Sequence, residues 1–420
     1  MIYDRHGFDV NQLATDEAKA LIAETARILA EAIHAGLPTE TPDTVRYALE
    51  NNAFVFSGFK TFHAMREIGL TMVTDKGDIK PFNQFLNDVQ KVHNTYNRNY
   101  LYAEYNHAVG TSLMAAKWQD IAKDGDDYHL QYRTAGDSHV REEHALLHDT
   151  TLPPSDPFWD KYYPPNGWNC RCTAVQVIKD DYTLSDPELA MKRGDNCTAS
   201  VKQQMFRYNP GKTLQLFPPK HPYFPKGCAG CDRKLTLAYD PSKEKCRACT
   251  IIADQQRRNA NKQLYERLKK NPDYTKVKFD EKSGGVKATH KGHNFDKVGG
   301  KYELDVQESG YKTGHAVTLE NEKGEGRHTE GLWDGALFEV AGCETGSANN
   351  ILRGLKHCAS KLETEFAVII LPKTDFDKDI FETAIKRYKG LKKLNDGQYL
   401  KFKKIICIHK HEVVYTTDDT

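Results

Sequence analysis

Long apolar runs are missing from this 420-residue chain. No window approaches eighteen consecutive apolar residues, so no segment is a candidate for a membrane-spanning helix. The start, MIYDRHGFDV, has no basic stretch followed by an apolar one. It does not read as a secretory signal, and the expected compartment is the cytoplasm. Charge of one sign is scarce too: 59 Lys plus Arg stand against 58 Asp plus Glu, a net of +1. Any surface for a polyanion must therefore be local. Cysteine is too sparse for a secreted disulfide scaffold, at 10 in the whole chain. Six of these fall in tight pairs, at Cys170/Cys172, Cys228/Cys231 and Cys246/Cys249, and such pairs in a reducing compartment point to metal.

What is present describes a folded, multidomain protein. The length exceeds what one core usually organises, and 39% hydrophobic with 28% charged residues is an ordinary globular balance. Residues 11 to 122 read as helical. In DEAKALIAETARILAEAI, Ile22, Ala26, Leu29 and Ile33 share a face that Leu21 and Ile28 widen, with Asp16 as N-cap. In YLYAEYNHAVGTSLMAAKW, Leu101, Tyr105, Ala108, Val109, Leu113, Ala116 and Trp118 form a second inward stripe. From Cys172 to about Pro225 the chain reads as irregular, and the proline-rich NPGKTLQLFPPKHPYFPKG as a linker. A charged helix, IIADQQRRNANKQLYERLKKN, precedes a composition change near 280. Beyond it, KYELDVQE, HAVTLEN, ALFEVAG, EFAVIILP and KFKKIICIHK predict strands. SANNILRGLKHCASKL, capped by Ser347, and DIFETAIKRYKGLKKL predict helices.

Cys228-x2-Cys231 and Cys246-x2-Cys249, fourteen residues apart, have the spacing of a four-cysteine zinc ribbon. Two Cys-x2-Cys turns on facing hairpins complete a tetrahedron, and four thiolates leave no open position, so the expected zinc is structural. His144, Cys170 and Cys172 form a weaker second constellation, alongside His148. Local hydrogen bonding and apolar packing are the alternative for these residues. Arg133, Asp137 and Arg141 predict an ion-pair cluster at a helix start.

Arg133, Asp137, Val140, Arg141, His144 and Leu147, the DPFW at Asp156 to Trp159, the PPNGW at Pro164 to Trp168, and Cys170-Arg171-Cys172 together resemble the signature of the phage Mu F-like head morphogenesis family. The resemblance covers roughly residues 50 to 180. It departs at His139, where a second arginine is common, and at Asp149, where glycine is usual. It implies a minor head protein near the portal vertex, with phage portal and head proteins as partners. The location it implies is the bacterial cytoplasm during assembly and then the virion head.

The C-terminal stretch gathers groups suited to phosphodiester chemistry. Metal-independent RNA cleavage needs a base, an acid and a cation. His315 or His328, Glu339, and Lys356 or Arg353 fill those posts. A basic helix face and its cap, with Thr345, Ser347, Asn350, Arg353 and Lys361, is the expected RNA-binding surface. In the metal-dependent alternative Asp334 and Glu339 hold magnesium, and a lysine two residues past the glutamate activates water. That position is Ala341, so Lys356 or Lys361 must take the role. Thr329-Glu330, Asp334-Gly335, Phe338-Glu339-Val340, Gly346-Ser347, Asn349-Asn350-Ile351, Lys356 and Ser360-Lys361 resemble contact-dependent inhibition tRNA nuclease toxins. They are also similar to the barnase-EndoU-colicin-RelE-like nucleases appended to phage head proteins. That resemblance implies a tRNA substrate, a cognate immunity protein and action in a target cell's cytoplasm.

Together these features predict a multidomain chain. Residues 1–215 are a mainly α, Mu F-like domain with an irregular Pro/Trp/Cys-rich lid, 216–280 a zinc ribbon with helical connector, and 281–420 an α+β or α/β nuclease-like domain. The expected function is a minor head protein carrying a ribonuclease effector. The alternatives are a purely structural head protein with a DNA-binding or decorative C-terminal domain, and a metal-dependent nuclease.

Overall fold

The computed structural model describes residues 2–5, 7–225, 243–295, 300–322, 329–361, 363–391 and 402–417, with backbone alone at 243–246. The chain divides into two compact units, Met1–Ala253 and Asp254–Thr420.

Four helices open the first unit: α1 (Asp16–Gly36), α2 (Asp43–Leu70), α3 (Phe82–Asn94) and α4 (Leu101–Asp124). The cap of α1 is Thr15, whose hydroxyl accepts the Ala18 N–H at 3.4 Å. Asp16 is the first helical residue instead, where a carboxylate still complements the helix dipole. Ile22, Leu29 and Ile33 point inward as the periodicity requires. In α4, Ala108, Ala116 and Trp118 are buried, whereas Leu113 is exposed. Every position of α2 from Ala53 to Phe62 is buried, the mark of a helix enclosed on all sides. Within that run Lys60 forms an ion pair with Glu104 of α4, sealed in the interior.

A small antiparallel sheet follows, in the order β2-β1-β3. It contains β1 (His129–Arg133), β2 (Thr151–Leu152) and β3 (Thr173–Val177), with the short helices α5 (Glu142–Ala145) and α6 (Phe158–Tyr162) in the connections. Phe158, Trp159, Tyr162 and Tyr163 are fully buried, so aromatic mass anchors a segment poor in regular structure.

The stretch from Cys172 to Pro225 is not a linker. Besides β3 it contains α7 (Pro187–Cys197) and α8 (Pro210–Thr213), each opened by a proline in its first turn. Leu216 and Phe217 are fully buried, and Phe217 stacks on Phe56 of α2 at 3.7 Å between ring centroids. Proline reads as punctuation in a sequence, yet at a helix start it is compatible with order.

The long helix α9 (Lys243–Lys270) passes through the division between the units. In the first unit its Ala248, Cys249, Ile251 and Ile252 pack with Phe54, Phe59 and Phe62. Of the expected ribbon, Cys228, Cys231 and the Cys246 side chain lie outside the described residues. The Cys246–Cys249 pair stands on α9 rather than on a hairpin turn, and Cys249 is buried in that apolar cluster.

The second unit is an eight-stranded mixed sheet ordered β11-β10-β9-β8-β7-β6-β5-β4. In chain order its elements are β4 (Tyr274–Phe279), β5 (Val286–His290), α10 (Gly300–Lys312), β6 (Ala316–Leu319), β7 (Gly331–Trp333) and β8 (Ala336–Gly342). Then come α11 (Ala348–Cys358), β9 (Phe366–Leu371), α12 (Lys378–Lys389), β10 (Lys404–His409) and β11 (Glu412–Thr416). Strands β5 and β6, β8 and β9, and β9 and β10 pair in parallel, the other neighbours antiparallel. The composition change near 280 falls in the β4–β5 turn. Both outer strands are irregular, β4 between Thr275 and Lys278 and β11 opposite Cys407 and Ile408.

Alternation along β9 separates two cores. Phe366, Val368 and Ile370 join Tyr302 and Val306 of α10, while Ala367, Ile369 and Leu371 join Ile351 and Leu355 of α11 and Phe381 of α12. One expected strand, KYELDVQE, is part of α10. Tyr302, Leu304 and Val306 alternate like a strand, but the helix buries Tyr302, Glu303, Val306, Gln307 and Gly310 and leaves Leu304 43% exposed. Among the described residues no helix is long and apolar enough to cross a membrane.

Candidate functional site

Two clusters of chemically active side chains stand out, one in each unit. The first is built by the segment between β1 and β3. Asp149 turns the chain between α5 and β2 with φ +62°, a left-handed conformation that favours glycine and that aspartate tolerates. The departure from the family signature at this position is thereby accommodated. Asn169, at φ +56°, makes a second such turn just before the Cys-x-Cys.

In extended chain, residues i and i+2 face the same side. Cys170 and Cys172 accordingly both meet the buried His144 of α5, their sulfurs 3.6 and 3.5 Å from its Nδ1. Arg171 points the other way and grips Asp137 with two hydrogen bonds of 2.6 and 2.7 Å, which hold that carboxyl down at about 2. The expected ion-pair cluster of Arg133, Asp137 and Arg141 is not formed. Arg141 donates to the Trp168 carbonyl at 2.7 Å, and Arg133 lies 3.8 Å from Asp149. His148 accepts the Thr134 N–H at 3.1 Å and stands apart from the sulfurs.

Burial works against a proton on His144, but the Cys170 and Cys197 thiols outweigh it and raise the ring to about 9. Cys172 and then His144 hold the Cys170 thiol well below its ordinary range in spite of burial. Cys172 is pushed up, first by Cys170 and then by burial. The ligand atoms of His144, Cys170 and Cys172 lie within 4.8 Å of one another, close enough to share a metal ion.

The second cluster forms at β7, β8 and the end of α11. Phe338 and Val340 face the α10 core, so alternation turns Glu339 towards α11, where it is buried. The Lys361 ammonium lies 2.8 Å from Glu339 and 3.1 Å from Glu330, and His357 lies 3.4 Å from Glu339. Burial pushes the Glu339 carboxyl up, and Glu339 in turn raises His357. The cluster continues through Glu322, which burial and then Glu330 push up to about 7. Next to it His293 bonds Glu303 at 2.9 Å. His293, Glu322 and Glu330 offer ligand atoms within 4.8 Å of one another.

The expected catalytic set is not assembled as one group. His315 bonds Asp334 at 2.6 Å and lies against Trp333, part of the α10-side core, whereas Glu339 faces α11. Lys356 is exposed on α11, and among the described residues no hydrogen bond or ion pair joins it or His315 to Glu339. His328 lies outside the described residues. Of the expected RNA-binding residues, Thr345, Ser347 and Asn350 form the cap of α11. There Ser347 accepts the Asn350 N–H, and Asn350 accepts the Thr345 N–H at 3.2 Å. Arg353 is exposed, and Lys361 instead occupies the carboxylate cluster. Sequence reasoning missed His293, Glu303 and Glu322, which lie in three separate segments with no shared spacing.

Comparison with known proteins bears on the first cluster. Residues 80–175 match the family model for Phage Mu protein F like protein. The "Putative capsid assembly protein F" of Escherichia phage Mu is 41% identical over 69 residues, 16% of this chain and 16% of that protein. The Mu-like prophage FluMu F protein of Haemophilus influenzae is 32% identical over 90 residues, 20% of this chain and 22% of its own length. The chain thus spans about a sixth and about a fifth of the lengths of these two relatives. No solved structure matches. The N-terminal half of the chain carries a phage Mu F-like domain.

Proposed function

We propose that the chain is a phage-type head-assembly protein whose C-terminal unit is a metal-assisted ribonuclease. The first half rests on the match over residues 80–175, which runs from the start of α3 through the segment that brings His144 to Cys170 and Cys172. The name of the phage Mu relative, a capsid assembly protein, supports phage head proteins as partners of this chain. Mass spectrometry of purified virions tests this half, and a chain absent from the particle overturns it.

The nuclease half rests on one observation, the Lys361 ammonium set between the Glu330 and Glu339 carboxylates. This lysine takes the role left vacant at Ala341. His293, Glu322 and Glu330 are the residues that would hold a divalent cation such as magnesium. The ion would supply charge for the phosphoryl oxygens and acidity for a water molecule. Lys361 works against the net upward push that burial exerts on the Glu339 carboxyl, and it presents a cation to the phosphoryl oxygens on which charge develops. A purely acid-base mechanism through His315 and Lys356 is less favoured, because neither residue lies beside Glu339.

The test incubates the full chain with tRNA and with duplex DNA, each with magnesium or with EDTA. Cleavage of tRNA that EDTA abolishes is the expected result. Cleavage that survives EDTA returns the chemistry to acid-base catalysis, and cleavage of DNA alone changes the substrate. Inert substrate in every tube leaves a structural head protein with a decorative C-terminal unit. A cognate immunity protein and action inside a target cell follow only from the first outcome.

A further inference from the structure

His144 is a buried imidazole in an unusual setting. Its Nδ1 lies 3.6 Å from the Cys170 sulfur and 3.5 Å from that of Cys172, while its buried Nε2 has no hydrogen-bond partner. A ring nitrogen offers one in-plane direction, either a proton or a lone pair, so it cannot make two well-aligned hydrogen bonds at once. Thiols are weak partners besides, and a buried polar group left in this state calls for an explanation. A cation on the Nδ1 lone pair supplies one, because both sulfurs then bind the same ion as the nitrogen. The three ligand atoms lie within 4.8 Å of one another. A cavity of about 20 Å³ is lined by all three residues, with Arg141 and Asn169 on its wall. One water-sized sphere needs about 10 to 15 Å³, so this space suits a single ion and little more.

We propose that His144, Cys170 and Cys172 hold a zinc ion whose fourth position faces the cavity and takes a water molecule or a small anion. With zinc–sulfur bonds of about 2.3 Å and a zinc–nitrogen bond of about 2.05 Å, a tetrahedral ion sets sulfur about 3.6 Å from nitrogen. The observed separations, 3.6 and 3.5 Å, agree with that value. Two thiolates cancel the charge of a divalent ion, so with a neutral imidazole the centre needs no counter-charge in its apolar surroundings. Arg171 stays with Asp137. Thiolate and imidazole donors select zinc over magnesium or calcium. Three protein ligands are the arrangement that keeps one position open. A larger cavity of about 730 Å³ shares Cys170, Cys172, Arg141 and Asn169 with the small one and continues to Leu113 and Met114 of α4. Through it an external ligand reaches the ion. The ion also ties α5 to the start of β3 across a stretch where regular structure is sparse, and metal binding there adds directly to folding free energy.

The test uses the full chain carrying Cys228→Ser and Cys231→Ser, which removes the other cysteine cluster. Elemental analysis is expected to find one zinc per chain, and X-ray absorption two sulfurs around it, with nitrogen or oxygen at the remaining positions. Adding His144→Ala, or Cys170→Ser with Cys172→Ser, is expected to release the metal. In the cobalt-substituted chain the visible bands are expected to shift when azide is added, the mark of an exchangeable position. A chain without zinc overturns the proposal, as does a Cys170–Cys172 disulfide found by peptide mapping of chain purified under reducing conditions. Three or four sulfurs around the ion, or cobalt bands that ignore azide, overturn the open position. Should the double serine background fail to fold, the otherwise unaltered chain decides. There Cys170→Ser with Cys172→Ser, shown folded by circular dichroism, is expected to lower the zinc content by one per chain, and an equal content overturns the site.

Discussion

Lys361 and Glu339 form an ion pair of 2.8 Å in which the glutamate side chain is 1% exposed and the lysine side chain 18%. The pair is shielded enough to be strong and open enough on the lysine side to meet a substrate. Lys361→Ala is expected to lower tRNA cleavage by about 10²- to 10³-fold, the size of losing one group that stabilises transition-state charge. Circular dichroism must show the variant folded. A variant that cleaves like the parent chain removes Lys361 from the chemistry.

Lys60 and Glu104 offer a different experiment, since both are enclosed between α2 and α4. Removing one partner strands a charge in the interior. Lys60→Met is expected to cost about 3 to 5 kcal/mol, whereas Lys60→Met with Glu104→Leu is expected to be near neutral or stabilising. Urea denaturation of the three chains measures it. Equal losses in the single and double variants contradict the pairing.

Gly211 opens α8 against α4, and a Cβ there would fall 2.0 Å from the Trp118 Cβ. Both atoms belong to stiff parts of the structure, so the helices must separate. Gly211→Ala is expected to destabilise the first unit by about 1 to 3 kcal/mol. An unchanged denaturation midpoint would refute the close approach.

Acid dependence follows from Glu365, which accepts the Leu337 N–H at 3.1 Å and pairs with Lys403. The Lys403 ammonium holds its carboxyl below the usual value of 4.5. A depressed carboxyl stabilises the fold above its unfolded value and loses that contribution as pH falls through the folded one. Glu365→Gln should therefore lie below the parent chain in urea midpoint at pH 7, with the gap closing at pH 3. A gap that is constant with pH assigns the effect to packing.

Periodic elements were legible in the sequence because burial repeats at fixed spacing. The face of α1, strands β8 and β9, and helix α11 with Ser347 as its cap all stand where the residues place them. Strand and helix were confused at Tyr302 to Val306, where apolar residues alternate over a stretch too short to separate the two periods. Prolines hid α7 and α8 for a different reason, since the same residue ends one element and starts another. The clusters were legible only where ligands are close in sequence. Cys170 and Cys172 announce themselves, and His144 of α5 meets both of their sulfurs. Likewise Glu339 signals a role, and only the fold brings Lys361 and Glu330 to it.

The irregular outer strands of the eight-stranded sheet bear on how chains behave at high local concentration. A straight rim of unpaired amides is a template for a neighbour's backbone, and the breaks in β4 and β11 spoil that template on both sides. Copies crowded together can then touch through side chains without zipping into a continuous fibre.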